Sequence, residues 1–452
     1  MARITFHGGT GMVTGANFLL ETAAAKIMVD CGLIQGDRFA MTRNCDTFAY
    51  DPSMVDALLV THAHADHIGR IPKLVHDGFV GTIYSTIATK DLAAVMLRDA
   101  YKVMSYESER YGTARCYEMQ DIDAALSLWK GVSYHDTTTL PDNIEAVFTD
   151  AGHILGSAMV TLTRGGKRFV FTGDIGNVPQ PLLNPPEVPK GYDYLLMESV
   201  YGDRRHEDVA ERSDLLREHI ADTITKSGTL IIPAFSLERT QGMLFEINNF
   251  FEKGELSPIP VFLDSPLAIA VTELYRAHTA YLKTEVQEQI RGGDDIFDFP
   301  KLSFTRTVAD SEEIAKVKGP KIIIAGSGMS HGGRILEHER RYLEDPKTTV
   351  LLVGYQAVGS LGRLLHDGVR KVRVLDTDVK VRAKIADIQG YSGHADRDQL
   401  VELVAEGSEK AKRIFVAMGE ERSSLFLVQR LRDYLDVDAV APEEGETIEI
   451  DF

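Results

Sequence analysis

The stretch at positions 61–67 constrains this chain more than any other, because it places three imidazoles and a carboxylate within six residues. It directly follows the apolar run 57–60, which predicts a buried strand that ends before the histidines. Histidines two residues apart at a strand end point the same way, and the following loop can direct further ligands toward a second cation. The pattern predicts a metal site that can serve two ions, formed by His62, His64, Asp66 and His67.

One such cluster cannot complete two coordination shells, so further ligands are expected at the ends of other strands. Asp30 ends one apolar run, His153 lies in a glycine-punctuated loop, and Asp174 follows another apolar run. Taken alone, each residue has an ordinary explanation, since Gly-Asp is a common turn and a single histidine is usually a structural or surface residue. The repeated order of strand, then acid or histidine, then glycine indicates one common site.

This series of residues resembles the metallo-β-lactamase superfamily. Segments in the second half resemble its β-CASP branch, namely those at 197–204, 232–239, 263–266, 326–329 and 392–396. The resemblance runs nearly end to end, and within the branch the chain is similar to the RNA-processing nucleases: the bacterial and archaeal relatives of the cleavage-and-polyadenylation endonuclease and, more distantly, RNase J. It implies an α/β fold, in which an inserted β-CASP domain with a parallel sheet interrupts a metallo-β-lactamase αβ/βα sandwich.

A chain of 452 residues is too long for one ordinary hydrophobic core, so two domains are expected. Alternation of strand and helix begins near position 206 and is typical of a parallel sheet. We expect the first part of the metallo-β-lactamase domain at 1–205, the inserted β-CASP domain at 206–380, and the C-terminal part of the first domain at 381–452. The active site should lie in the cleft between the two domains.

The composition is that of a soluble globular protein, with 44% hydrophobic and 26% charged residues. The N-terminus lacks an apolar signal core and no stretch approaches a membrane span, so we expect a cytoplasmic protein with no membrane partner. The cysteines are Cys31, Cys45 and Cys116, an odd number at unpatterned spacing. This favours reduced thiols over a disulfide framework.

The net charge of −18 argues against a nucleic-acid substrate, because phosphate binding normally relies on a positive surface. An average says nothing about one cleft, however, and bound divalent metals would be the largest positive charges there. Some of the acidity also lies away from the motifs, near the C-terminus. We therefore expect weak non-specific affinity for nucleic acid at moderate salt.

The resemblance implies a metal-dependent ribonuclease that hydrolyses single-stranded RNA with metal-activated hydroxide. One Zn²⁺ ion would be held by His62, His64 and His153, the second by Asp66 and His67, and the two would share Asp174. Asp30 would hydrogen-bond a ligand histidine and fix its tautomer. Glu198 would orient His394, which would protonate the leaving 3′-oxygen and leave a 5′-phosphate on the downstream product. The expected catalytic residues are Asp66, Glu198 and His394.

A glycine-rich segment at 327–334 follows an apolar strand and precedes a helix, so its backbone N–H groups could hold a phosphate. The alternative is a tight connection that needs glycine only for positive φ. A surface arginine near such a segment is usually no more than a solvated charge. The candidate phosphate-binding residues are Ser327, Gly328, Ser330, His331 and, from a separate segment, Arg239.

One position departs from the family pattern. RNA-processing relatives carry a histidine as the last metal ligand, and Met418 stands at that position here. A thioether is a poor Zn²⁺ ligand, so we expect one or two zinc ions per chain with a weak second site. Three alternatives stay open: a non-catalytic RNA-binding scaffold, a one-metal DNA nuclease and a small-molecule metallohydrolase. The sequence also leaves open the natural RNA target, the choice between endonuclease and 5′-exonuclease action, and whether the protein forms a homodimer.

Overall fold

The computed structural model describes residues 1–36, 40–206, 209–354, 356–357 and 359–452. The chain divides into two compact units. The first unit comprises Met1–Val178, Asn184–Arg205 and His394–Phe452, and the second comprises Pro179–Leu183 and His206–Gly393. Among the helices described, none is both long and apolar enough to cross a membrane.

The part of the first unit that precedes the second unit contains most of the first unit's strands. Its elements in this part are β1 (Ala2–Gly8), β2 (Asn17–Glu21), β3 (Lys26–Val29), α1 (Ala40–Cys45), β4 (Ala57–Leu59), α2 (Ala65–Ile68), α3 (Ile71–His76), β5 (Thr82–Thr86), α4 (Ile87–Tyr111), α5 (Met119–Ser127), β6 (Trp129–Val132), β7 (Thr137–Leu140), β8 (Ile144–Asp150), β9 (Ala158–Arg164), β10 (Lys167–Phe171) and β11 (Tyr194–Met197).

The second unit follows, and the chain then returns to the first. The second unit contains α6 (Val209–Lys226), β12 (Thr229–Pro233), α7 (Arg239–Glu252), β13 (Val261–Leu263), α8 (Pro266–Ala277), α9 (Thr284–Arg291), β14 (Leu302–Phe304), α10 (Val308–Glu313), β15 (Lys321–Ala325), α11 (Ile335–Tyr342), β16 (Thr349–Leu352), α12 (Leu361–His366), β17 (Lys371–Val374), β18 (Thr377–Lys380) and β19 (Lys384–Asp387). The returning segment contains α13 (Arg397–Gly407), β20 (Arg413–Val416), α14 (Glu421–Leu435), β21 (Ala439–Val440) and β22 (Thr447–Ile450).

Two seven-stranded sheets form the first unit, with the orders β22-β1-β2-β3-β4-β5-β6 and β21-β20-β11-β10-β9-β8-β7. Buried aromatic rings from both sheets fill the space between them, and the centroids of Phe6 and Phe415 lie 5.4 Å apart. Apolar residues of α13 and α14 cover the other face of the second sheet. The first unit is therefore a sandwich of two sheets with helices outside.

The second unit is built on a six-stranded sheet with the order β14-β13-β15-β12-β16-β19, in which all neighbouring strands run parallel. Its central strands β12 and β15 are buried along their whole length and read as nearly continuous apolar runs, as expected for parallel strands covered on both faces. The predicted α/β class, with a parallel sheet in the second half, is confirmed.

The C-terminal part of the first unit is predicted to begin at residue 381, but in the structure the chain returns to that unit later. The strand β19 pairs with β16 and so forms an edge of the second unit's sheet. The first unit resumes at His394. A short strand that only completes a sheet edge carries little apolar signal, which explains the difference.

The expectation of three reduced thiols is wrong for two of them. Cys45, at the end of α1, forms a disulfide with Cys116, and their Cα atoms lie 4.8 Å apart. The two residues are separated by 71 positions, so spacing gives no sign of the pairing. Cys31 is a buried free cysteine.

Thiol titration of the unfolded protein tests this pairing. Without reductant one thiol should react, and after reduction all three should. A disulfide that closes a loop of 71 residues stabilises a fold by about 4 kcal/mol on the chain-entropy argument, so Cys116→Ser should lower the denaturant midpoint. Three reactive thiols in protein purified without reductant would contradict the bond.

Candidate metal centre

The ligand-type residues of the first unit follow the carboxyl ends of its strands. Strands β3 and β4 run parallel, and so do β10, β11 and β20, so within each sheet these ends lie side by side. Side chains that extend from the ends of neighbouring parallel strands can meet over one edge of the sheet. The residues placed in this way, after β3, β4, β8, β10 and β11, are Asp30, His62, His64, His153, Asp174 and Glu198.

Four of these side chains form a compact group. The ligand atoms of His62, His64, His153 and Asp174 all lie within 4.8 Å of one another. Nδ1 of His64 lies 3.1 Å from Nε2 of His62 and 3.2 Å from Nε2 of His153. Oδ2 of Asp174 lies 3.3 Å and 3.5 Å from the same two Nε2 atoms. Three nitrogens and one oxygen thus surround one small space, which is the donor set of a tetrahedral cation site.

The environment also sets the protonation states that a cation needs. Burial and the neighbouring imidazoles lower the pKa of His62, and they hold the pKa of His64 well below its usual value. Burial alone would raise the pKa of Asp174, but the interactions with His67, His62 and His394, together with a hydrogen bond to His62, outweigh it and hold that pKa well below the usual range. Neutral imidazoles beside an ionised carboxylate are the forms that bind metal. The residues therefore fit a divalent metal ion.

Asp30 ties the end of β3 to the start of the histidine-rich segment. Its Oδ1 accepts the backbone N–H of Thr61 at 2.8 Å, and its Oδ2 accepts the Thr61 hydroxyl at 2.8 Å. Oδ2 also lies 2.7 Å from Nδ1 of His67, whose Nε2 lies 3.3 Å from Asp174. Burial by itself lowers the pKa of His67, but Asp174 and Asp30 outweigh it and raise that pKa well above the usual value. Asp30 thus contacts a predicted ligand histidine, as sequence reasoning expects of it.

Asp66 and His67 lie in the one-turn helix α2, after the first two histidines. A Cβ at Gly32 would lie 1.5 Å from the carbonyl oxygen of Asp66, so only glycine allows this close approach. Burial raises the pKa of Asp66, and the charge of His67 opposes that shift. Across the described part of the chain, the compact ligand groups do not include Asp66 or His67. The ligands predicted for the second cation are therefore less closely grouped than those for the first.

Glu198 and His394 form a second group, which shares Asp174 with the first. Glu198 is fully buried, and its Oε1 accepts the N–H of Ile175 at 2.7 Å and lies 3.3 Å from Nδ1 of His394. That Nδ1 also lies 3.9 Å from Oδ2 of Asp174. Burial raises the pKa of Glu198, and His394 opposes that shift. This geometry suits a hydrogen-bonded acid pair, and it would equally suit a third set of metal ligands.

Met418 follows β20 in a left-handed backbone conformation, with φ of +48°, and is fully buried. Its N–H donates to the carbonyl of Gly9, and its side chain belongs to the hydrophobic core that contains Phe6 and Phe18. The neighbouring strand β11 ends at Met197, directly before Glu198. The thioether is therefore packed as an apolar side chain at the end of a strand next to the one that supplies Glu198.

The predicted phosphate-binding segment lies in the second unit, between β15 and α11. Its turn is closed internally, because Ser327 Oγ accepts the backbone N–H groups of His331 at 3.1 Å and Gly332 at 3.2 Å. These two N–H groups are therefore already bonded within the turn, and the imidazole of His331 is exposed. Ser330 is buried, and its hydroxyl donates to the carboxyl group of Glu339 at 2.6 Å. Burial raises the pKa of Glu339 to about 8. Ser330 therefore supports the turn from the inside.

Arg239 begins α7, and its guanidinium carbon lies 4.6 Å from the ring centroid of Phe235. Its Nη1 also donates to the carbonyl of Val353 at 3.4 Å. Gly328 packs on the same ring, since a Cβ there would lie 2.4 Å from a Phe235 ring carbon. Two of the predicted residues, Arg239 and Gly328, thus meet at one aromatic side chain that the sequence analysis does not single out.

Sequence reasoning also missed the role of Asp264, the buried residue after β13. Its carboxylate accepts hydrogen bonds from Arg334 at 2.7 Å and Thr305 at 2.7 Å, and it lies 2.7 Å from Nε2 of His338. Burial alone would raise the pKa of Asp264, but these bonds and one from Ser311 hold it at about 2. The partners come from two other segments, 305–311 and 334–338, so no local pattern reveals them. Arg334, the last residue of the predicted phosphate segment, is held by this network.

Comparison with family models matches most of the chain in three parts. Residues 19–188 match the metallo-beta-lactamase superfamily domain, residues 240–365 the Beta-Casp domain, and residues 378–442 a Zn-dependent metallo-hydrolase RNA specificity domain. A metal is characteristic of the first of these folds, and the group around His64 supplies suitable ligands.

Curated relatives and a solved structure match over nearly full length. The chain is 35% identical to Ribonuclease TTHA0252 of Thermus thermophilus, over 94% of this chain and 95% of that protein. It is 30% identical to the RNase J-like protein of Methanocaldococcus jannaschii, over the full length of both. A crystal structure of a protein of unknown function from Enterococcus faecalis V583 shares the fold, with a TM-score of 0.59 at 15% identity over 99% of each chain. The resemblance inferred from the motifs is confirmed: this chain belongs to the metallo-β-lactamase superfamily, in the branch that carries a β-CASP domain.

Proposed function

We propose that this protein is a zinc-dependent ribonuclease that hydrolyses phosphodiester bonds of single-stranded RNA. The observation that carries the proposal is the joint placement of His62, His64, His153 and Asp174 beside the pair formed by Glu198 and His394. The first group of side chains would hold a metal cation, and the adjacent pair would donate a proton. The ribonuclease named among the relatives and the match to an RNA specificity domain support RNA as the substrate class.

The first zinc ion would be held by His62, His64, His153 and Asp174, and a second by Asp66, His67 and Asp174. Bound zinc supplies a Lewis acid that makes water nucleophilic near neutral pH and offsets charge on the phosphoryl oxygens. The protein's part is to fix the ligands in place. Asp30 does this for His67, because a hydrogen bond to one ring nitrogen leaves the other to face Asp174.

His394 would provide the proton for the leaving group. Its Nδ1 faces Glu198, so the carboxylate holds the ring and favours a proton on each nitrogen. Attack of water on phosphorus would form one P–O bond and break the bond to the 3′-oxygen, while the water gives up one proton to the solvent, from which His394 later regains its own. The proton from Nε2 of His394 goes to that oxygen. The products are a 3′-hydroxyl on the upstream fragment and a 5′-phosphate on the downstream one.

Substrate positioning would fall to the second unit. Ser327, Gly328, His331 and Arg239 are the proposed contacts to RNA phosphates, since the turn follows the parallel strand β15 and precedes the helix α11. Because Ser327 Oγ already accepts the backbone N–H groups of His331 and Gly332, side chains such as the exposed imidazole of His331 would make these contacts. The Ser330 hydroxyl donates to Glu339, so its proposed role is to shape the turn. The network of Asp264 and Arg334 would hold the same turn rigid.

A second candidate function rests on Met418. Its side chain lies in the hydrophobic core, and the second cation would lack an imidazole from this position. A chain with this defect could bind RNA without cutting it, or could act as a one-metal nuclease on DNA. Retention of the other ligands favours catalysis.

The cleavage test uses zinc-loaded protein on labelled single-stranded RNA and on single-stranded DNA of the same sequence. We expect cleavage of RNA, with 5′-phosphate on the downstream product. His394→Ala should lower the rate by about 10²-fold, the usual contribution of a general acid. Its zinc content should stay that of the parent, because the ligand group around His64 is intact.

A matched control is His135→Ala, which removes an imidazole that is 64% exposed and should leave the rate unchanged. If His394→Ala instead lost zinc, His394 would be a metal ligand with Asp174 and Glu198. If the zinc-loaded parent cut neither substrate, the scaffold function would replace the ribonuclease.

Restoring an imidazole tests the weak second site. Zinc at that site would have three protein ligands, one fewer than the family pattern implies, so excess Zn²⁺ or Mn²⁺ should stimulate the parent protein. Met418→His should raise the metal content toward two ions per chain and remove most of that stimulation, as measured by metal analysis and by the cleavage rate. Met418→Leu, which also packs as an apolar side chain, is the control. Uptake of a second ion with no gain in cleavage would favour the scaffold, and no uptake would show that residue 418 does not serve the site.

A further inference from the structure

A cluster of cations lies on the hairpin of β17 and β18 and on the segment that leads from it into β19. The segment 370–384 contains six basic and two acidic residues, in a chain that has 49 basic and 67 acidic residues. We call this the basic ribbon. Its cations are Arg370, Lys371, Arg373, Lys380, Arg382 and Lys384, all exposed.

The side chains of the ribbon alternate between core and solvent. The hairpin residues Val372, Val374 and Val379, and then Val381 and Ala383, are buried in one hydrophobic cluster of the second unit. The cations occupy the positions between them and are exposed. Since successive residues of extended chain point to opposite faces, one face anchors the ribbon and the other presents its charges together.

The register of the hairpin places one pair of like charges opposite each other, and beside it the oppositely charged pair Arg373 and Asp378. Lys371 pairs with Lys380 across the two strands, an arrangement that destabilises a hairpin unless something else favours it. Asp378 offsets part of the charge, with its carboxylate 2.7 Å from Nζ of Lys371. A fully exposed pair of this kind contributes little. Lys380 therefore faces a cation across the hairpin, and its own charge is left toward solvent.

Most of the ribbon's charge is not compensated by neighbours. Among the residues that the structure describes, Lys380, Arg382 and Lys384 make no salt bridge, and neither does Arg370. The carboxylate of Glu344 accepts the backbone N–H of Lys380 at 3.1 Å. The ribbon therefore presents a local excess of positive charge on a protein whose net charge is −18.

We propose that the basic ribbon binds the phosphate backbone of single-stranded RNA, as an interaction surface separate from the catalytic residues. The proposal rests on the ribonuclease function proposed above, and it explains how a strongly acidic protein holds a polyanion. The segment 370–384 contains no aromatic residue, so it offers no ring for a base to stack on. Binding is therefore through charge, is independent of base sequence, and weakens with salt.

A structural explanation of the same charges exists and makes a different prediction. Strand β19 is an edge strand of the second unit's sheet, and lysines near a sheet edge prevent pairing with other chains. If this were their whole purpose, removing them would promote aggregation and leave RNA affinity unchanged beyond the effect of net charge.

The test measures binding of fluorescein-labelled oligouridylate by anisotropy over a series of salt concentrations, with full-length protein in the His394→Ala background so that the RNA stays intact. The ribbon variant combines Arg370→Gln, Lys380→Gln and Arg382→Gln. The slope of log affinity against log salt is negative, and loss of three phosphate contacts should make it shallower by about 2. Binding of single-stranded oligothymidylate should show the same change in slope, because the ribbon would contact phosphate groups and not bases or sugars.

The control variant has the same change in net charge elsewhere in the second unit: Arg291→Gln, Lys301→Gln and Arg306→Gln. These side chains are exposed, and the last two flank β14, at the opposite edge of the sheet from β19. Its salt slope should match that of the parent. Melting temperatures of both variants check that each is folded.

Equal slopes for the ribbon variant and the control would overturn the proposal and leave edge protection as the explanation. The cleavage assay with His394 intact separates this outcome from failure of the proposed function. If the parent protein cuts RNA and the ribbon variant has the same salt slope as the parent, the role of the basic ribbon in RNA binding is refuted and the ribonuclease function stands. A parent that never cuts RNA, but whose salt slope depends on the ribbon, refutes the ribonuclease and leaves the RNA surface standing.

Discussion

The carboxylate of Asp174 is the group on which the site depends. Its oxygens lie 3.3 Å from ring nitrogens of His62 and His67, 3.5 Å from His153 and 3.9 Å from His394. A carboxylate this deeply buried is costly unless positive charge surrounds it. Here the surrounding imidazoles hold its pKa well below the usual range against the effect of burial. The strand ends that deliver these side chains are positioned around one buried negative charge.

The position of each histidine relative to these carboxylates explains why the histidines differ in pKa and in orientation. His62 and His64 have lowered pKa values and are suited to bind a cation as neutral rings. His67, between Asp174 and Asp30, has a raised pKa and is oriented from both sides. His394 is aligned by the buried carboxylate of Glu198. Four similar side chains thus have three different environments, which their carboxylate neighbours set and on which the proposed roles rest.

The parts that could be predicted from sequence are those with short-range signals. The histidine-rich segment directly follows an apolar strand, and the same order of strand and ligand identified His153 and Asp174 at a distance along the chain. The parallel sheet of the second unit was predictable because β12 and β15 are continuous apolar runs. The convergence of these strand ends depends on the pairing of β10 with β11 and of β11 with β20, which only the family resemblance implied.

Other features had no local signal. The bond between Cys45 and Cys116 joins segments 71 positions apart, and the partners of Asp264 come from two distant segments. The inward direction of Ser330 depends on Glu339, a helix residue that hydropathy alone would place at the surface. The edge strand β19 is too short for its apolar pattern to decide between the two units. In each case a contact made only in the folded chain determines the outcome.

Anomalous diffraction at the zinc absorption edge, from crystals of zinc-loaded protein, tests the central claim most directly. The account predicts one strong peak about 2.0–2.1 Å from the ring nitrogens of His62, His64 and His153, with Asp174 as its oxygen ligand. A weaker peak or none is expected between His67 and Asp66. The result that would contradict the account is an ordered cluster without a peak, in which the imidazoles hydrogen-bond only to Asp174 and to one another.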